Sequence, residues 1–123
     1  MTTRQLVVGF GLARIAYAVA MVVAPGPAGR PWLGDAVDTP GGRVAARTMV
    51  ARDAILSAGA VGAALSEGSA RPWLVALALS DTADIAATLA DADGLPNMAA
   101  IGTVALAGTA ALSGAALARA VEQ

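Results

Sequence analysis

Asp81 and Asp84 stand three residues apart in the middle of an apolar run that extends roughly from Trp73 to Ala90. On a helix that spacing, continued by Thr88, puts the side chains on one stripe. A second apolar stretch contains Arg52 and Asp53, and a third contains Arg14, with Tyr17 one turn further on. Ionisable groups inside long apolar runs are costly, and they persist where they pair with one another or perform a task. Two kinds of chemistry fit these residue types. Carboxylates beside guanidinium groups can bind one another or grip a small ligand. Two carboxylates on one stripe can also divide the roles of proton donor and acceptor. An adjacent Arg would then hold developing negative charge, and Tyr17 could donate a proton. Asp81 and Asp84 are therefore the candidate catalytic residues; Arg14, Tyr17, Arg52 and Asp53 are the candidate ligand-binding residues.

Much other chemistry is excluded by what the chain lacks. It has no Cys and no His, which removes disulfides, thiol catalysis, zinc sites built on Cys or His, and the commonest general base. No Gly-rich phosphate loop or Ser-His-Asp set is present. The Asp-x-x-Asp element has nothing beside it that would bind diphosphate or magnesium, so neither a metal nor a cofactor is expected. A net charge of −1 gives no electrostatic case for nucleic acid. All the basic residues are Arg, which in so Ala- and Gly-rich a chain fits a GC-rich genome, the alternative being selection for guanidinium chemistry.

Of the 123 residues, 57% are hydrophobic and only 14% charged. Soluble domains carry about 25% charged residues. Four apolar segments can be drawn, over residues 5–24, 44–66, 72–89 and 97–121. Each is long enough to cross a bilayer core of about 30 Å at about 1.5 Å per residue. The first contains an Arg within a run too long for a signal peptide, and reads as a retained helix. Pro25 to Pro31 cannot continue the first helix, and Pro40-Gly-Gly42 delays the second. Residues 31–39 read as a short helix lying on the surface. Pro72 suits a first helical turn and Asn97 an N-cap. Short connections make the second and third helices, and the third and fourth, antiparallel neighbours.

Depth and face can be counted along these segments. Asp53 lies about fifteen residues before the turn near Gly68 and Asp84 about fifteen after it, which sets them level on neighbouring helices. Arg14 and Arg52 fall near the same depth. Arg52 points away from Arg47, which is free to reach outward near its helix end. Phe10, Arg14, Tyr17 and Met21 form one stripe, and Asp53 stacks over Ser57. Trp32 and Trp73, each within an Arg-Pro-Trp-Leu sequence, suit membrane–water interfaces. Gly9, Ala13, Ala16 and Ala20, and likewise Ala110, Gly114 and Ala118, form faces of small residues suited to close helix contact, within the bundle or between copies.

The stretches Ala24-Pro25…Trp32-Leu-Gly34, Ala51-Arg-Asp-Ala-Ile-Leu56 and Ala78-Leu-Ser-Asp-Thr-Ala-Asp84 resemble a group of small bacterial four-helix membrane proteins of unknown function. The four-helix layout is also similar to that of DoxX-type membrane proteins. The resemblance implies an integral membrane protein and supplies no activity.

The expectation is a single all-α domain, a four-helix transmembrane bundle with antiparallel up-down connections. It would be multi-pass in the cell membrane. A slight excess of Arg at the ends holding Arg4, Arg71 and Arg119 would place both termini in the cytoplasm. Its expected partners are the lipid bilayer, a lipophilic small molecule and further copies of itself. Its Arg/Asp cluster would bind a small ligand or stabilise an oligomer. The alternative is a metal-independent acid–base enzyme (isomerase, epoxide-opening or cyclase type) acting on a lipophilic substrate. A soluble helical domain is the third reading.

Overall fold

The computed structural model describes residues 1–122. It contains α1 (Thr3–Val23), α2 (Pro25–Leu33), α3 (Pro40–Leu65), α4 (Arg71–Ala90) and α5 (Asn97–Ala120), with 3-10 turns over Gly34–Asp38 and Ala92–Gly94. All except α2 are long and apolar enough to cross a membrane. No strand occurs among the described residues.

The helix starts follow local chemistry. Thr2 and Gln5 form a reciprocal capping box, which starts α1 at Thr3. Thr39 accepts a hydrogen bond from the Gly42 N–H, and Pro40 occupies the first helical position of α3. Pro40-Gly-Gly42 thus forms the first turn of α3 instead of delaying it. Proline has no N–H to lose there, and its fixed φ suits the position. The same reason lets Pro25 open α2 immediately after α1. The short helix accordingly starts earlier than the expected 31–39, and a 3-10 turn completes the connection. At α5 it is Pro96, not Asn97, that holds the cap position; Asn97 is the first helical residue and makes no cap bond. Gly34 ends α2 with φ 58°, a conformation open to glycine at little steric cost. A Cβ there would stand 2.9 Å from the Pro96 ring, so the end of α2 fits closely against the entry to α5.

The long helices alternate in direction. Arg4 at the start of α1 donates to the Leu65 carbonyl at the end of α3. Arg71 at the start of α4 pairs with Glu122 just beyond α5, at 2.6 Å. Both ends of the described chain therefore lie at one end of the bundle. The opposite end is covered by α2 and the first 3-10 turn. Contact runs from α1 to α3, from α3 to α4 and most closely from α4 to α5; α1 and α5 scarcely touch. The ring of helices is thus incomplete on one side.

Two apolar clusters fill the interior. Val7, Ala60, Ala70, Leu74 and Ala118 pack at the end where the termini lie. Ala18, Met21, Ala46 and Val50 pack toward the α2 end. A layer of charged side chains separates them. On the outside, Leu12, Val19, Ile55, Leu79, Ile101 and Leu112 are exposed, giving each long helix an apolar outer face.

The small residues divide in two. Gly114 is buried, and a Cβ there would stand 3.4 Å from the Leu74 carbonyl oxygen, so the Gly114–Ala118 face packs on α4 within the bundle. Gly9 has nothing near it, and Ala13, Ala16 and Ala20 are exposed. The face α1 presents to its neighbours is instead Val7, Gly11, Ala18 and Met21.

Candidate functional site

Arg14, Arg52, Asp53, Asp81 and Asp84 meet in the charged layer. The Arg14 guanidinium donates to both oxygens of Asp81, at 2.9 and 2.7 Å, and to Asp53 Oδ2 at 2.8 Å. Arg52 donates from Nε and a terminal nitrogen to Asp53 Oδ1, at 3.2 and 3.1 Å, and to Asp84 Oδ2 at 2.8 Å. The result is a chain of five charges, Asp81–Arg14–Asp53–Arg52–Asp84, that ties α1, α3 and α4 together. Planar guanidinium groups suit this arrangement because they present donors in a fixed fork. Arg14 also lies 5.5 Å from the Phe10 ring centroid, within the range of a cation–π contact.

The depth count from the sequence therefore places Asp53 and Asp84 correctly, with Arg14 and Arg52 at their level. Arg47 is exposed on another face of α3, as the helical angle requires.

A cavity of about 550 Å³ adjoins the cluster. It lies between α1 and α5, which scarcely touch, and its lining residues Ala13 and Tyr17 of α1 and Gly102 and Leu106 of α5 are exposed. Phe10, Ala13 and Tyr17 of α1 form one wall; Gly102, Leu106 and Ala110 of α5 form another. Pro31 and Trp32 of α2 close the end, and Arg14, Asp53, Asp81 and Asp84 supply the polar floor. The size falls within the range of about 300–1,000 Å³ for small-molecule sites, and apolar walls with a few convergent polar groups are their usual form.

Of the six expected site residues, five form the cluster and Tyr17 stands beside it in the cavity wall. Arg52 is not in the wall; it holds Asp53 and Asp84 instead. Trp32 is a further residue of the site, one that its sequence pattern did not mark as facing inward. Its indole N–H donates to the Thr88 hydroxyl at 3.0 Å, and its ring lines the cavity. Thr88 in turn donates to the Asp84 carbonyl oxygen at 2.7 Å. The ring is turned inward by α2, a helix whose position no local pattern specifies. The α5 wall was missed as well, since it has no charge to mark it.

One oxygen from each of Asp53, Asp81 and Asp84 lies within 4.8 Å of the others. A metal ion drawing on all three would compete with guanidinium groups that already occupy both oxygens of Asp53, both of Asp81 and one of Asp84.

Ser57 Oγ is fully buried and has no hydrogen-bond partner. An unsatisfied buried hydroxyl costs free energy that a methyl group does not. Ser57→Ala is expected to leave stability unchanged or raise it by up to about 1 kcal/mol, measured by reversible unfolding in mixed micelles. A loss above that size would show that the hydroxyl has a partner.

No known protein family, curated protein or solved structure matches the chain.

Proposed function

We propose that the chain is a multi-pass integral membrane protein that binds a lipophilic small molecule through the side opening between α1 and α5. The observation that supports this best is the position of the cavity. It lies between two helices of spanning length that scarcely touch, its lining residues Ala13, Tyr17, Gly102 and Leu106 are exposed, and its walls are apolar while its floor is charged. A molecule dissolved in the bilayer could enter without crossing water, leave its body among apolar walls and set a polar end against the floor. In hydrocarbon the alternative to internal pairing is an isolated charge, so the Arg–Asp network also stabilises the bundle. Its bonds lie within one chain, so they do not require an oligomer.

The grouping of Arg4, Arg71 and Arg119 near the end that holds both termini supports a cytoplasmic location for that end. Reporter fusions after residue 122 and in the loop at Asp93 should report opposite compartments. Identical compartments would remove the fourth span.

Gly102 tests the cavity. It lines the wall, and a Cβ there would meet nothing, so Gly102→Trp should fill the space without disturbing the helices. Protein purified in a defined detergent, extracted with organic solvent and analysed by mass spectrometry should release a lipophilic molecule. Gly102→Trp, folded to the same thermal stability, should release at most one tenth as much. Equal recovery from both would overturn the proposal, and conversion of the molecule on incubation would instead favour the acid–base reading with Asp81 and Asp84.

A further inference from the structure

We infer that the ligand is a lipophilic cation, an amine or quaternary ammonium with an apolar body, whose charged head sits at Asp84 Oδ1 beside the rings of Trp32 and Tyr17. This rests on the cavity reading above and adds the chemical class.

The charges in the layer do not balance. Asp53, Asp81 and Asp84 face only Arg14 and Arg52, leaving one negative charge in excess. The excess has a location. Both oxygens of Asp53 and both of Asp81 accept guanidinium N–H groups, and so does Asp84 Oδ2. Among the described residues Asp84 Oδ1 accepts none, and Asp84 lines the cavity. The Asp84 side chain is only 16% exposed, and a half-buried carboxylate with one oxygen unpaired favours a positive partner. An anionic ligand would meet three carboxylates; in the Arg14 guanidinium both terminal nitrogens are committed, and only the buried Nε–H is without an acceptor.

The distribution of aromatic residues is an independent observation. The chain has two Trp, one Tyr and one Phe, and Phe10, Tyr17 and Trp32 all line this one cavity. Phe10 is engaged by Arg14. Trp32 is anchored to Thr88, one turn along α4 from Asp84, and both Trp32 and Asp84 line the cavity. Aromatic faces and a carboxylate together recognise alkylammonium groups, because the ring quadrupole and the charge act in the same sense.

The test uses full-length protein in phosphatidylcholine nanodiscs, with empty nanodiscs as the partition baseline. Radiolabelled tetraphenylphosphonium should bind saturably, and tetraphenylborate, of the same shape and opposite charge, should not compete. Asp84→Asn, which keeps the shape and removes the charge, should weaken binding at least tenfold. Tyr17→Leu should weaken it severalfold; Tyr17 is 43% exposed, so this variant remains informative if Asp84→Asn fails to fold. Displacement of the probe by sphingosine within the disc would identify a membrane amine as the natural class, and displacement only by a soluble tetraalkylammonium would identify a solute. Saturable tetraphenylborate binding that Gly102→Trp abolishes would overturn the cationic class and leave the cavity reading standing. Wild-type affinity for tetraphenylphosphonium in folded Asp84→Asn and Tyr17→Leu would also overturn the assignment. Absence of saturable binding by either ion would overturn it too, and the extraction comparison would then decide the cavity reading separately.

Discussion

Arg14→Leu is expected to destabilise the protein by about 3–5 kcal/mol, the usual cost of stripping one partner from a buried ion pair. Arg14 is the hub of the charged layer, holding Asp81 at both oxygens and Asp53 at one. Its side chain is only 12% exposed and that of Asp81 only 5%, so water can replace little of what is lost. Removing it leaves Asp81 with no partner and Asp53 and Asp84 with Arg52 alone. Arg52→Leu should cost less, since Arg52 gives Asp84 one bond where Arg14 gives Asp81 two, and Asp53 keeps its bond from Arg14. The double variant Arg14→Leu/Asp81→Leu should recover a large part of the loss, because it removes the stranded carboxylate along with its partner. Reversible unfolding of the wild type, Arg14→Leu, Asp81→Leu and the double variant in mixed micelles gives the coupling directly. A loss below about 1 kcal/mol for Arg14→Leu would mean that the layer is solvated like a surface ion pair.

Gly11→Leu should have an effect of similar size by a different route. A Cβ at Gly11 would stand 2.5 Å from a Val61 methyl group and 3.2 Å from the Ser57 carbonyl oxygen. The Ser57 backbone cannot move without moving α3, so a larger side chain must push α1 away. Overpacking of this kind costs about 1–3 kcal/mol. Here the displacement would also stretch the Arg14–Asp53 pair one turn further along α1, so the expected loss is at the top of that range. Gly9→Leu is the matched control. It lies two residues earlier, faces open space and should change stability by less than about 0.5 kcal/mol. Equal losses from the two would mean that the exposed face of α1 is covered, as in a homo-oligomer, and cross-linking would then show the partner copy.

What sequence alone could determine is what depends on counting along one helix. Composition and run length were enough for four apolar helices. The antiparallel order followed from their short connections. Spacing put Asp81 and Asp84 on one stripe, and counting outward from the turn near Gly68 set Asp53 level with Asp84. These inferences succeed because the rise and twist of a helix are fixed by its backbone hydrogen bonds. Even the misjudged starts were local matters: Pro40 was read as a breaker when Thr39 had already made it the first residue of a turn.

Tertiary structure alone decided which faces meet. Gly9 and Gly11 are both small residues on α1, yet only Gly11 has α3 packed against it. Trp32 has the composition of an interfacial residue, and α2 turns it into the cavity, where Thr88 holds it. The cavity exists because α1 and α5 do not close the ring, which is a property of how four helices pack and of no single one. The pairing within the charged layer has the same origin. Sequence could supply three carboxylates and two guanidinium groups at one depth, but only the positions of α1, α3 and α4 leave Asp84 Oδ1 without a donor. Close packing depends on the shapes of surfaces far apart in the chain, and no count of residues along one helix contains that information.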